Sequence, residues 1–385
     1  MKKQLSAISL LAGTAIGSGM LSLPLVLAKY GLLFGCAMMI AFVWVAYFSS
    51  IIRAELNIYS RADFALKDVG AYFSGRVASQ IGNISLKLLS YALIAAYLHG
   101  LASLLNVFLS MDLSCLIALI SIVTMILLYF SNSLISRVNK TLFICLISVF
   151  ILVTLGMLLQ SGIGELRIPS SQELSFNSFA IALPIIFTSF GFQGSLHSLT
   201  KFVNNEPKII KKACLFGSII PAIVYLCWLC STILIIYNND PVLFDKMMCG
   251  NLEISEMIMC LSHISNLPYL KNMFWLISLL ALLTSIIGVG IAQFDEWNRT
   301  TGRVSSSLIT IFPSAIVAIC VPNAFIKILG ISGMILAILA IFLPTFLYLK
   351  MLKRHKEIVV SFSKKCGICV LLVTGIAIFV AGFFQ

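Results

Sequence analysis

A chain of 385 residues, 60% of them hydrophobic and 10% charged, has too little polar surface to dissolve as a globule, so its solvent is lipid. The net charge of +12 would suit a nucleic-acid binder if it formed one patch. Instead, the lysines and arginines are dispersed over short segments between apolar runs, which excludes that partner. The middles of those runs hold almost no Asp, Glu, Lys or Arg, which also argues against an enzyme built on paired carboxylates, a metal or a cofactor.

A crossing helix needs about 20 mostly apolar residues. Eleven runs qualify, at 5–27, 31–52, 86–109, 113–130, 141–160, 179–199, 213–237, 272–292, 305–321, 324–349 and 367–384. With the N-terminus cytoplasmic, most basic residues, from Lys2 and Lys3 through Arg53, Arg137, Lys201 and Arg303 to Lys353, fall inside. Eleven crossings then leave the C-terminus external. The first apolar run continues through Pro24 without a small-residue cleavage site and reads as a span rather than a signal peptide.

Span one contains GTAIGSGMLSLP, in which Gly13, Gly17 and Gly19 crowd the middle of a helix that should cross lipid unbroken. Glycine is a poor helix former, and unwound backbone survives in a bilayer only where it lines a cavity or is buried in protein. Gly13 and Gly17 also form a GxxxG pair, so close helix packing is the competing reading. Span three carries His99, which with His197 of span six is one of the two histidines expected within the membrane. Each is a candidate for proton uptake or for simple packing. Span six reads ALPIIFTSFGFQGSLHSL, with Pro184 upstream and Gly191 and Gly194 in mid-span among Thr188, Ser189 and Gln193. Thr284 and Ser285 of span eight offer hydroxyl oxygens to a small hard cation such as Na⁺, or bond their own helix. The segment 238–271 reads as an external loop. Its Cys249 and Cys260 would be free to form a structural disulfide in an oxidising compartment.

Spans one and six cross in opposite directions. Five plus five spans make two inverted halves, about 5–160 and 179–349, followed by an additional helix at about 367–384, all within one transmembrane domain. Paired interrupted segments in corresponding halves point to a transporter binding site, as in LeuT. Half-helix N-termini after the breaks would meet a carboxylate, and the preceding carbonyls an ammonium.

The runs AGTAIGSGMLSLPL, LLSYALIAAYLHG, LPIIFTSFGFQGS and LLTSIIGVGIAQFD resemble the hydroxy and aromatic amino acid permeases, and among them the tyrosine-specific branch. The resemblance covers nearly the whole chain. It implies an eleven-helix LeuT-like fold with discontinuous helices one and six, and proton-driven uptake of tyrosine, tryptophan or phenylalanine across a bacterial inner membrane. The substrate site it implies comprises Thr14, Gly17, Ser18 and Gly19, then Ser189, Phe190, Gly191 and Phe192, with Tyr91 and Tyr97 from span three. Gln193 stands where the family often has a histidine, and His197 lies one turn later, so Gln193, His197, His99, Thr284 and Ser285 are the coupling-ion candidates. A carrier of the same fold for serine or threonine, sodium coupling, and a sensor that binds without transporting are the alternatives.

Overall fold

The computed structural model describes residues 2–17, 19–60, 64–130, 132–160, 176–249, 252–264, 268–298, 300–321, 324–355 and 360–384, and these are almost wholly helical. Among them, eight helical stretches are long and apolar enough to cross a membrane. The chain is therefore an all-α, multi-pass membrane protein.

The first apolar run is two helices, α1 (Lys2–Ala15) and α2 (Gly19–Leu27). A short 3₁₀ turn follows, Gly31 adopts φ 73°, which suits a residue without Cβ, and α3 (Gly31–Tyr59) runs back. Next come the short α4 (Leu66–Ser74), the long α5 (Arg76–Leu109), then α6 (Leu113–Tyr129) and α7 (Asn132–Gln160). The Asp112 carboxylate caps α6 by accepting the Ser114 and Cys115 N–H groups at 3.0 and 3.3 Å. Span six is also divided, into α8 (Phe176–Ser189), a 3₁₀ turn (Phe192–Ser195) and α9 (Leu196–Phe202). The chain continues through α10 (Pro207–Asn239), α11 (Pro241–Met248), α12 (Ile254–Ile264), α13 (Pro268–Asn298) and α14 (Arg303–Cys320). Span ten consists of α15 (Ala324–Ala337), a π turn (Ile338–Phe342) and α16 (Leu343–Arg354), and α17 (Phe362–Ala381) is last.

One expectation needs correction, and one open question has an answer. The segment 238–271 is not a plain loop but holds α11 and α12. Asp240 caps α11 by accepting the Leu243 N–H at 2.9 Å, with Pro241 in the first turn. Within that segment Cys249 and Cys260 are both free thiols, and the Cys260 thiol instead lies 3.6 Å from the Asp240 carboxylate.

Two groups of helices form the body. In one, α1, α2 and α3 pack on α10, and α2 packs on α8; in the other, α5 packs on α6, α13 and α14. Helix α15 bridges them by packing on both α5 and α8. Small residues permit this contact: a Cβ on Gly333 of α15 would overlap the Pro184 carbonyl of α8.

One end of the molecule gathers most of the basic residues and is cross-linked by several of them. Lys67 of α4 pairs with Glu296 of α13, and Lys364 of α17 meets Glu55 of α3 at 2.5 Å. Arg354 donates to the Tyr72 carbonyl at 3.4 Å, and Arg303 to the Tyr129 and Phe130 carbonyls at 3.0 and 2.5 Å. At the other end, Phe108 of α5 meets Trp275 of α13 edge-on, ring centroids 4.6 Å apart.

Candidate functional site at two helix breaks

Helix α1 closes with the Ile16 N–H donating to the Ala12 carbonyl at 3.0 Å, and α2 opens at Gly19, where the Met20 N–H donates to the Gly17 carbonyl at 3.2 Å. In the second break, the Phe190 and Gly191 N–H groups close tight turns onto Phe187 and Thr188, 3.1 and 3.0 Å, before the 3₁₀ segment begins. The two breaks touch. A Cβ on Gly19 would come within 2.7 Å of Ser189 Cβ and 3.0 Å of its Cα, and one on Gly17 would overlap the Ser285 hydroxyl of α13. Those glycines are therefore needed for close approach between three helices.

A residue that no sequence motif singled out joins them. The Tyr225 hydroxyl of α10 lies 2.6 Å from the Ala15 carbonyl and 2.8 Å from the Ser189 carbonyl, the last helical residues before the two breaks. Tyr225 is fully buried, and the Phe190 ring meets it edge-on at 5.8 Å and 84°. Both carbonyls end interrupted helices, and among the described residues no backbone N–H one turn on reaches either, so the phenol serves groups left without a helical partner in a water-free interior.

The remaining predicted residues fall into three sets. Phe190, Phe192 and Ser189 are buried at the second break, with the Ser189 hydroxyl donating to the Ile185 carbonyl at 2.9 Å. Buried Tyr97 lies within electrostatic range of Tyr225. Thr284 and Ser285 both donate to their own helix, to the Leu280 and Ala281 carbonyls at 2.8 and 2.7 Å. The Gln193 amide reaches the Ser49 hydroxyl of α3 at 3.4 Å, and its Oε1 is buried without a partner among the described residues. Next to the last residue of α1, Thr14 is exposed, as are Gly191 and, one turn beyond Ser285, Gly288. In contrast, the Tyr91 hydroxyl accepts the Trp297 indole N–H at 3.0 Å at the basic end of α13, where Lys87 covers the indole ring. That position joins it to the end of the bundle rather than to the breaks. Ser18 lies outside the described residues, as does the His197 side chain, whose backbone belongs to α9.

His99 is buried in α5, with its Nδ1 unpartnered among the described residues. A cavity of about 230 Å³ at the basic end, lined by Glu55, Tyr59, Lys211, Tyr348 and Lys364 among others, contains none of the predicted residues.

A multi-pass helical protein whose two broken helices meet in mid-span, at Gly19 and Ser189, has the build of a membrane carrier. The chain belongs to the tryptophan/tyrosine permease family, whose model matches residues 1–383. It is thus a member of a family of permeases, not of enzymes. It is 28% identical to tyrosine-specific transport system 1 of Haemophilus influenzae, over 93% of this chain and 90% of that protein. It is 25% identical to glutamine transporter 2 of Aliivibrio fischeri, over 90% and 89%, and to the tryptophan-specific transport protein of Pseudomonas aeruginosa, over 88% and 84%. Among solved structures, the crystal structure of a manganese transporter from Eremococcus coleocola, in complex with an aromatic bis-isothiourea substituted compound, superposes with a TM-score of 0.58. It shares 16% identity and covers 98% of this chain and 84% of that one, a likeness of fold.

Proposed function

We propose that this permease is a secondary carrier that imports an aromatic amino acid, tyrosine foremost and tryptophan or phenylalanine as alternatives, across a bacterial inner membrane by proton symport. The observation that carries the reading is the meeting of two helix breaks at Gly19 and Ser189, where a single phenol joins the carbonyls of both. Free peptide groups at that point suit a zwitterion, carboxylate to the half-helix N-termini and ammonium to the carbonyls. Phe190 and Phe192 supply aromatic surface beside it, and a ring pair adds about 0.5–1.5 kcal/mol beyond area burial.

The proposed architecture is LeuT-like. Eleven passes comprise two inverted halves, about 5–160 and 179–349, and the additional helix α17. The gathering of basic side chains at one end supports a cytoplasmic N-terminus and external C-terminus. In this orientation the exposure of Thr14, Gly191 and Gly288 suits a path from the cytoplasm, with α15, packed on α5 and α8, as the barrier on the external side. The conformation is then inward-facing, and alternating access carries the site outward. One charge moving through 100 mV supplies about 2.3 kcal/mol, near fifty-fold accumulation.

The similarity to a glutamine transporter gives a second reading, an amide side chain in the same site. Counterflow of labelled tyrosine in proteoliposomes, competed with tryptophan, glutamine and serine, separates these. Tyrosine or tryptophan should compete strongly, and dominance of glutamine would overturn the aromatic assignment. Repeating uptake with an imposed pH gradient and then a sodium gradient tests the ion; a response to sodium alone would remove the proton.

A further inference from the structure

His99 is 4% exposed, and among the described residues no hydrogen bond, ion pair or ring contact reaches it. A buried imidazole nitrogen without a partner is costly, so its retention calls for a reason. Ser103 lies one turn further along α5 on the same face. Its hydroxyl, itself buried, donates to the buried Ser255 hydroxyl of α12 at 2.9 Å and lies 3.4 Å from the Glu253 carboxylate, which is exposed at the end opposite the basic one. The result is a polar file through otherwise apolar packing, from solvent to within one helical turn of an unpartnered imidazole.

Building on the proton-symport reading, we infer that His99 takes up the coupled proton, and that Glu253 and Ser103 form its route from the external side, with Ser255 holding the Ser103 hydroxyl in place. A proton from external water protonates the Glu253 carboxylate. In the outward-facing state the Ser103 hydroxyl accepts that proton and, turned from Ser255 toward the ring one helical turn back, releases its own, so that the bare ring nitrogen becomes N–H, giving an imidazolium that discharges toward the cytoplasm on return to the inward-facing state. The charged groups on the helices packed against α5 sit at the ends. Glu256 and His263 of α12, Lys271 of α13 and Lys327 of α15 are external with Glu253. Lys67 and Asp68 of α4, Asp295 and Glu296 of α13, Arg303 of α14, and the basic residues of α16 are cytoplasmic.

The test uses the full chain in proteoliposomes, comparing wild type with His99→Gln, Ser103→Ala and Glu253→Gln. Two readouts are taken: tyrosine counterflow at equal pH, and accumulation under an imposed pH gradient. In His99→Gln the ratio of pH-driven accumulation to counterflow should collapse, removing the roughly tenfold accumulation that one pH unit drives. Ser103→Ala and Glu253→Gln should reach the wild-type accumulation more slowly, with an altered dependence on external pH and unslowed counterflow. Wild-type accumulation by His99→Gln would overturn the proposal. So would equal slowing of both readouts by the serine and glutamate variants, which would make the file a structural tie. Should His99→Gln fail to fold, unaltered pH-driven kinetics in the other two variants would also overturn it. Absence of counterflow by wild type with any aromatic amino acid would refute the transport reading itself, a separate outcome.

Discussion

Replacing Tyr225 by Phe removes one oxygen and keeps the ring that packs against Phe190. The hydroxyl contacts two carbonyls at 2.6 and 2.8 Å, at the ends of α1 and α8. Leaving a buried acceptor unsatisfied costs about 1–3 kcal/mol, although hydrogen bonds measured within membranes average nearer 0.6 kcal/mol. Because both acceptors end interrupted helices, the upper range is expected, about 1–3 kcal/mol of stability. Tyr30 provides the internal control. It is equally buried, but its hydroxyl has no partner among the described residues, so Tyr30→Phe should be neutral or stabilising. The assay is unfolding of purified wild type and both variants in mixed micelles by denaturing detergent, with tyrosine counterflow on the same preparations. Tyr225→Phe should lose stability and transport while Tyr30→Phe loses neither. Equal behaviour of the two variants would refute the reasoning.

The glycines at the first break grade by what their Cβ would meet. Gly19→Ala, pressed against Ser189 Cα at 3.0 Å, should abolish uptake at normal expression, whereas Gly17→Ala, pressed against a hydroxyl that can rotate, should retain a measurable fraction. The Cys260 thiol is pushed up to about 12, first by burial and then by the adjacent Asp240 carboxylate, so it stays protonated and unreactive throughout the neutral range. Maleimide labelling followed by mass spectrometry should modify exposed Cys249 well before Cys260, and Asp240→Asn should lower the Cys260 value and speed its labelling. A Thr14→Cys variant, in a background lacking the exposed native thiols, should label from the cytoplasmic side and be protected by substrate; labelling only from outside would reverse the proposed orientation.

Much of this architecture was legible because lipid imposes a simple rule. Three glycines in mid-span at Gly13, Gly17 and Gly19 cannot be read as an ordinary crossing helix, and the chain does part between Ala15 and Gly19. Hydropathy marks the bilayer rather than the helix, however. Helix α5 therefore begins at Arg76, well before the apolar run at 86–109, because a helix keeps its hydrogen bonds as it enters water. The helices α11 and α12 were missed for the same reason, although Asp240 and Pro241 carried a capping signal. Tyr225 was illegible because its role depends on two carbonyls distant in sequence, and backbone oxygens leave no trace in residue identity. The file from Glu253 toward His99 joins residues about 150 positions apart and was invisible for a similar reason.

The phenol at the junction brings one proton to two oxygens that each accept hydrogen bonds. The protein thus stops short of saturating its own midpoint: lone pairs outnumber hydrogens there, and among the described residues no lysine or arginine is seen bonded to either carbonyl. On the proposed reading, a visitor carrying three N–H bonds and a positive charge supplies what is missing. The empty carrier is the one that is electrostatically incomplete, and cargo finishes it.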